Sequence, residues 1–243
     1  MMQIILGIGA ALLPGIVLLV YIYIKDKYQR EPLLQILKGV LFGALSCVVA
    51  IAFATLFEFL GLYGIEYTSI GGAFATAFFG AAVPEESAKL IMLYLFLRRN
   101  RYYDEFFDGI VYAVTVGLGF AMVENILYVV QAEDWQSVAL TRAIFSVPGH
   151  YMFAVIMGYF YSLVSFRNRG MWFMPLVLMV PIVFHGLFDA ILMSEAIIAS
   201  DFVRGMAVLI FIAFFIWAQR RAKNAIRRHL ENDRLTMNDG LEF

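Results

Sequence analysis

Cysteine, histidine and charge are all scarce in this chain of 243 residues. The single cysteine, Cys47, excludes an intrachain disulfide. Two of the three histidines, His150 and His185, lie in apolar segments. Charged residues make up 15% of the chain and hydrophobic residues 62%, well above the apolar share of an average soluble domain. The composition therefore argues against a typical soluble domain and indicates a membrane protein.

Seven apolar stretches approach or exceed the length that crosses a bilayer, about 20 residues for a hydrocarbon core of about 30 Å. The connections between them are short and leave no room for a soluble domain. We find no internal repeat of clear period and no low-complexity tract. We therefore predict an all-α, polytopic membrane helical bundle of about seven transmembrane helices. The predicted spans are 4–24, 33–60, 70–97, 109–130, 138–164, 171–193 and 202–217.

Lysine and arginine are absent from alternate loops, at 61–69, 131–137 and 194–201. By the positive-inside rule, this distribution places the N-terminus outside and the C-terminus in the cytoplasm. We predict a transmembrane domain at 1–218 and a basic cytoplasmic tail at 219–243. The basic residues that flank the first, third, fifth and seventh spans are Lys25, Lys27, Arg30, Arg98, Arg99, Arg101, Arg167, Arg169, Arg220, Arg221, Lys223, Arg227, Arg228 and Arg234.

Ionisable residues interrupt the apolar stretches, although a charge at the bilayer centre costs roughly 2.5–3.5 kcal/mol on insertion scales. At about 1.5 Å per helical residue, Glu86, Glu124, His150 and His185 lie about 16 to 22 Å from the cytoplasmic ends of their spans. Four spans thus bring polar groups to one layer, which predicts a site for chemistry or transport. The ionisable residues of this layer are Glu85, Glu86, Glu124, His150, His185 and Asp189.

The third span contains a proline followed by two glutamates. Pro84 removes a backbone donor and clashes with the preceding turn, so the helix should kink or restart there. Glu85 and Glu86 would then lie in a first turn, which favours carboxylates. Lys89 follows at i+4 and i+3 and can pair with either glutamate. A buried ion pair that only fixes helix packing is the alternative.

Local spacing also suggests partners for the other polar residues. Asp189 lies one turn after His185, where a carboxylate can fix the tautomer of an imidazole and raise its basicity. His150 follows a Pro-Gly break. Glu124 is followed by Asn125, a supporting residue with which it could instead form a simple interhelical hydrogen bond.

The four carboxylates of this layer outnumber its cations, which are Lys89 and, nearer the outer face, Arg142. Protonation of some carboxylates, or a bound cation, could balance the excess negative charge. Two histidines and a carboxylate form a familiar catalytic zinc set, here His150, His185 and Glu124. The chain has no HExxH motif, so spacing gives only weak support for a metal. The possible cofactor is one divalent cation such as zinc.

Several motifs in chain order resemble the PrsW family of intramembrane proteases, in the clan of the CAAX prenyl endopeptidases. Glu124 stands where the prenyl endopeptidases have histidine in Phe-x-x-x-His, and Asp189 stands where that clan often has asparagine. The similarity covers most of the chain. The motifs are Pro14-Gly15, residues 23–26, Pro84-Glu-Glu-Ser-Ala-Lys89, residues 107–112, residues 118–128, His150 with Gly158, and His185-Gly-Leu-Phe-Asp189.

The resemblance implies an intramembrane endopeptidase, associated with site-1 cleavage of a membrane-anchored anti-sigma factor. It marks Glu85, Glu86, His150 and His185 as the essential positions. Members have been described both as metalloproteases and as glutamate-type proteases. The implied partners are a single-span membrane protein substrate and the lipid bilayer of a bacterial cell, and we expect no nucleic-acid partner.

Peptide hydrolysis needs an activated water and stabilisation of the oxyanion. We hypothesise that Glu85 or Glu86 is the general base, with Glu86, held ionised by Lys89, as the preferred candidate.

Each histidine would have a separate role in this hypothesis. His150 and Glu124 would orient the water, directly or through a metal. His185, positioned by Asp189, would donate a hydrogen bond to the oxyanion.

Two other function classes are compatible with the same residues. Membrane carboxylates and histidines also form proton relays, so a proton- or ion-coupled transporter is the main alternative. The absence of a visible inverted repeat counts mildly against it. A non-catalytic membrane binding protein is the third possibility, although every motif position keeps a protonatable group.

Overall fold

The computed structural model describes residues 2–166, 170–195 and 197–239, and these residues contain helices and no strand. Two of the helical segments are π-helices, which have one extra residue per turn. The α-helices are α1 (Met2–Lys25), α2 (Leu33–Phe59), α3 (Ile70–Ala75), α4 (Val83–Leu97), α5 (Phe106–Gln131), α6 (Trp135–Thr141), α7 (Val147–Phe166), α8 (Met174–Glu195) and α9 (Asp201–Asp239). The π-helices are Thr76–Ala82 and Arg142–Ser146, and a short 3₁₀ turn covers Gly170–Phe173.

Helix α5 is the centre of the bundle, with most of its side chains buried. It packs against α1, α2, α7 and α9. Two close helix approaches depend on glycine. A Cβ atom at Gly158 of α7 would collide with the backbone of α5 at Gly109, and one at Gly43 of α2 would collide with the α5 backbone near Gly119. Small residues thus let α5 approach its neighbours closely, as is common in membrane bundles.

Six helices in the described part of the chain are long and apolar enough to cross a membrane. The remaining predicted span, residues 70–97, forms one helical run but is not among these six. Three charged residues lie in its second half and lower its apolar character. The six spans are Ile5–Lys25, Leu33–Phe59, Phe106–Gln131, Trp135–Phe166, Met174–Glu195 and Asp201–Met237.

The last helix is much longer than the predicted span at 202–217, because α9 continues to Asp239. The residues beyond 218 pack on the bundle, since Ala222, Ile226 and His229 are buried. Most of the predicted tail is therefore helical and attached to the membrane domain. Residues 240–243 of that tail, and the flanking Arg167 and Arg169, lie outside the described residues.

Carboxylates are concentrated where α1 ends and α5 begins. Asp233 of α9 accepts hydrogen bonds of 2.9 Å from the backbone N–H groups of both Phe106 and Phe107, and so caps α5 from a distant part of the chain. Asp108 accepts a hydrogen bond from the backbone of Glu105, and the hydroxyl of Tyr112 donates to Glu31. The buried carboxylates of this cluster are Asp26, Glu31, Glu105, Asp108 and Asp233.

This carboxylate cluster predicts an unusual pH dependence of stability. Burial raises the pKa of Asp26 from 3.8 to about 6. Burial likewise raises the pKa of Glu31 and of Glu105 from 4.5 to about 7. Between the ordinary and the raised pKa of each group, the folded state thus binds more protons than the unfolded state. The free energy of unfolding is therefore highest at low pH and falls as the pH rises through the folded-state pKa. We expect the Tm in detergent to fall between pH 5 and pH 8, by an amount that Glu31→Gln and Glu105→Gln reduce.

Thermal unfolding at a series of pH values measures this effect. The matched control is Glu58→Gln, which removes an exposed carboxylate of α2 and should leave the slope unchanged. If Tm falls with pH as steeply in Glu31→Gln and Glu105→Gln as in the original chain, the prediction is contradicted.

Candidate active site

A π-helix precedes each of two prolines that lie close to the predicted site residues, Pro84 and Pro148. Pro84 is the second residue of α4, after Thr76–Ala82, and Pro148 is the second residue of α7, after Arg142–Ser146. Proline has no N–H to donate and its ring clashes with the turn before it, which accounts for a widened turn at both places. The predicted irregularity at Pro84 thus takes the form of a π-helix, which the sequence did not specify.

Lys89 lies between the two glutamates of α4 and contacts both. Its Nζ is 2.8 Å from Glu86 Oε1 and 3.2 Å from Glu85 Oε2. The two carboxylates nevertheless differ, because the Glu86 side chain is 0% exposed and the Glu85 side chain 14%. Adjacent helical residues point about 100° apart, which explains why one carboxylate is enclosed and the other is accessible.

His185 of α8 joins the glutamates to Asp189. Its Nδ1 is 2.9 Å from Glu86 Oε1, and its Nε2 is 3.2 Å from Asp189 Oδ2 and 4.0 Å from Glu85 Oε2. The imidazole stacks on Phe153 with ring centroids 4.8 Å apart. Both ring nitrogens and one ring face are thereby fixed, so the orientation of His185 is well determined.

His150 of α7 lies beside His185, with ring centroids 5.4 Å apart. Its Nε2 is 2.8 Å from Glu124 Oε2 and its Nδ1 is 3.1 Å from Lys89 Nζ. An ammonium group can only donate, so these partners assign the Nδ1 as acceptor and the Nε2–H as donor to Glu124. Helices α4, α5, α7 and α8 therefore bring the predicted layer together in one connected group.

Arg142 completes the group from the other π-helix. Its guanidinium donates to Glu124 Oε2 at 2.7 Å and to Asn125 Oδ1 at 2.6 Å, and lies 4.1 Å from the ring centroid of Tyr128. The amide of Asn125 in turn donates to the carbonyl of Ala11. From the sequence alone, Arg142 was only a possible counter-charge nearer the outer face. The available signal was that Arg142 is the one lysine or arginine within the predicted span 138–164.

A cavity of about 380 Å³ opens onto this group from one side. The enclosed Glu86 does not line it. The charged and histidine side chains on its polar wall are Glu85, Glu124, Arg142, His150, His185, Asp189 and Glu195. The remaining lining is largely apolar. The main apolar and aromatic side chains around the cavity are Phe145, Phe153, Phe188, Ile191, Leu192, Val208, Phe211 and Ile212.

The donor types fit a divalent cation, but the ammonium of Lys89 contacts Glu85, Glu86 and His150 in this arrangement, so a cation would bind only if Lys89 moves aside. One ligand atom from each of Glu85, Glu86, His150 and His185 lies within 4.8 Å of the others. Glu86 Oε2 is buried and has no hydrogen-bond partner among the described residues. Nitrogen and carboxylate ligands of this kind are typical of zinc sites. This group contains both glutamates of α4 where the predicted ligand set contained Glu124.

The match to known proteins covers most of the chain. A family described as PrsW family intramembrane metalloprotease matches residues 31–218. The chain is 36% identical over 189 residues to Protease PrsW of Geobacillus kaustophilus, covering 77% of this chain and 80% of the relative. It is 35% identical over 223 residues to Protease PrsW of Bacillus subtilis, covering 90% and 94%. No solved structure matches the chain.

These similarities agree with the resemblance that the ordered motifs predicted, and the matched residues include α4, α5, α7 and α8. The six apolar helices agree with an enzyme that works within a membrane. The chain therefore belongs to the PrsW family of intramembrane metalloproteases.

Proposed function

We propose that this multi-pass bacterial membrane protease carries out site-1 cleavage of a single-span, anti-sigma factor-like membrane protein. The observation that carries the proposal is the cavity of about 380 Å³, which has carboxylates and histidines on one wall and apolar side chains around the rest. Such a cavity suits an unwound segment of a transmembrane helix, because its apolar lining can hold side chains from the membrane while the polar wall contacts the backbone. A helical amide is otherwise shielded by its own hydrogen bond.

Glu85 is the better candidate for the general base. The sequence favoured Glu86, but Glu86 is fully enclosed, whereas Glu85 lines the cavity and can reach a water there. A general base must lie within hydrogen-bond reach of the proton that it removes. In this assignment Glu86 has a positioning role, because its Oε1 holds both Lys89 and His185.

The histidines differ in their partners and therefore in their proposed roles. The Nε2–H of His185, which faces Asp189 at 3.2 Å, would be shared with the oxyanion that forms on the scissile carbonyl once substrate binds. Glu124, which lines the cavity and is held by His150, would orient the attacking water together with that histidine.

A divalent cation would be held by residues from the set Glu85, Glu86, His150 and His185. When bound, such a cation makes water a better nucleophile at neutral pH and polarises a carbonyl. Purified protein should then contain close to one equivalent of metal, and the double variant His150→Ala/His185→Ala should lose it while the exposed tail variant Arg234→Gln keeps it.

Reconstitution with a single-span substrate tests the proposed function. The protein is placed in liposomes with a candidate anti-sigma factor, and the products are analysed by mass spectrometry. One defined cut in or next to the substrate's membrane segment is the expected result. Proton flux without any cut would instead favour the transporter. Cleavage of other single-span proteins but not of anti-sigma factors would reject the proposed substrate class.

Replacing Arg142 by Gln should lower the cleavage rate by about 10- to 100-fold, the range found when a supporting contact to a site residue is lost. Arg142 touches Glu124 and Asn125 and holds the carboxylate that contacts His150. We expect kcat to fall more than KM changes, with Arg142→Lys recovering part of the loss. Arg204→Gln is the matched control, since Arg204 lies at the start of α9 and pairs with Asp201. Equal kinetics for Arg142→Gln and the control would argue against the positioning role.

A further inference from the structure

A second cavity, of about 280 Å³, lies between α7, α8 and α9, and none of its lining residues belongs to the candidate active site. One side is basic and polar, formed by Arg221, Asn224 and Arg228 of α9. The other side is apolar and aromatic, with Tyr159 and Phe160 of α7 and Phe184 of α8. The cavity thus places two arginines directly beside an apolar wall.

The two arginines lie seven residues apart, so they share one face of α9. Neither forms an ion pair with a carboxylate among the described residues. In the described part of α9, Arg204 pairs with Asp201 and Arg234 with Glu231. The Arg221 guanidinium lies over Trp217, 5.2 Å from the ring centroid. The cavity therefore has two positive charges that no described protein group neutralises.

The cavity also lies where α9 changes character. Apart from Arg204, the helix is apolar from 202 to 217 and becomes rich in arginine from 220 onward, with Trp217 at the junction. Tryptophan is enriched at membrane–water interfaces, and basic pockets between transmembrane helices bind anionic lipid headgroups. The charged and apolar sides of this cavity thus match the two parts of a phospholipid.

We propose that this cavity binds one anionic phospholipid, with its phosphate between Arg221 and Arg228 and an acyl chain against Tyr159, Phe160 and Phe184. A small soluble phosphate would satisfy the arginines but would leave the apolar wall uncovered, which is why the occupant is a lipid. Binding would reinforce the packing of the C-terminal half of α9 against α7 and α8. This proposal is independent of the substrate and mechanism proposed above.

The chain offers a matched control for the test. Arg220 and Arg227 lie on the same helix, are also seven residues apart and do not line the cavity. The double variants Arg221→Gln/Arg228→Gln and Arg220→Gln/Arg227→Gln therefore remove the same charge from the same segment. A general attraction of basic residues to the membrane surface would be weakened equally by both pairs.

Native mass spectrometry of the full chain, titrated with phosphatidylglycerol or phosphatidylcholine in detergent, measures the bound lipid. We expect phosphatidylglycerol to bind preferentially, and the Arg221→Gln/Arg228→Gln variant to bind it about 10-fold or more weakly, since each basic residue contributes about 1 kcal/mol, or about fivefold. The Arg220/Arg227 pair should change it by less than about 3-fold.

Three results would overturn the proposal: equal losses in both pairs, no preference for phosphatidylglycerol, or displacement of the lipid by millimolar inorganic phosphate. Thermal unfolding in detergent without added lipid checks the fold of each variant. Because both arginines are exposed, we expect no change in that measurement. If the double variant does not fold, Arg228→Gln against Arg227→Gln gives the same comparison with one charge removed.

Discussion

Replacing Glu85 by Gln is expected to lower the rate of peptide cleavage by about 10³-fold, within the range that a general base contributes. Glu85 is the glutamate of α4 that lines the cavity, and its Oε2 lies 3.2 Å from Lys89 Nζ. A glutamine keeps the size of the side chain and can still accept a hydrogen bond from Lys89, but it cannot remove a proton from water. The loss should therefore be in kcat, with the Tm nearly unchanged.

Glu86→Gln provides the contrast that separates the two glutamates. Glu86 is fully buried and its Oε1 contacts both Lys89 and His185, so a neutral amide there leaves these two groups with a weaker partner. We expect this variant to lose activity and also to unfold at a lower temperature, since breaking a buried ion pair costs about 3–5 kcal/mol. Glu58→Gln, an exposed change on α2, should affect neither property.

Cleavage assays in liposomes and thermal unfolding in detergent together test the assignment. If Glu85→Gln cleaves at the original rate while Glu86→Gln is folded and inactive, the base is Glu86, as the sequence alone suggested. Original rates in both variants would reject a glutamate base.

Replacing His185 by Ala should have an effect of similar size, about 10³-fold on kcat, because loss of one oxyanion donor costs about 10²–10³-fold and the anchor for Glu86 is lost with it. The side chain lies at the centre of the group, 2.9 Å from Glu86 and 3.2 Å from Asp189. It is also in the set of possible metal ligands, so the variant should contain less metal.

Asp189→Asn separates orientation from chemistry at the same position. The amide keeps the shape of the side chain but weakens the hold on His185 Nε2, so we expect a loss of about 10- to 100-fold, smaller than that of His185→Ala. The matched control is Asp201→Asn, an exposed acidic residue at the start of α9. Rates for Asp189→Asn as low as those for His185→Ala would indicate that Asp189 itself contacts the substrate or the water. An original rate for His185→Ala would reject its role.

Residue types and spacing predicted much of the candidate site. The depth estimate brought Glu86, Glu124, His150 and His185 to one layer, and contacts of 2.8 to 3.1 Å now connect them through Lys89. This succeeded because helical rise is constant, so position along an apolar span translates into depth. The pairing of His185 with Asp189 followed from the i, i+4 spacing in the same way.

The different exposure of Glu85 and Glu86 could not be predicted in this way. Helical periodicity predicts that Glu85 and Glu86 point in different directions, but it does not predict which of the two faces a cavity. The role of Arg142 was also missed, because its contacts with Glu124 and Asn125 depend on a π-helix in one segment and on packing against another.

The sequence by itself determined that the chain is an all-helical membrane protein, which family it resembles and which ionisable residues share a depth. These properties depend on composition, on the length of the apolar segments and on the spacing of nearby residues, all of which can be read from the sequence. Only the tertiary structure decided that Glu85 rather than Glu86 faces the cavity, that Arg142 holds Glu124, and that α9 continues past residue 218 to cap α5 through Asp233. Each of these features depends on the orientation of a helix about its axis and on its packing against distant segments. Contacts between side chains more than a hundred residues apart in the sequence are set by that packing and not by local pattern.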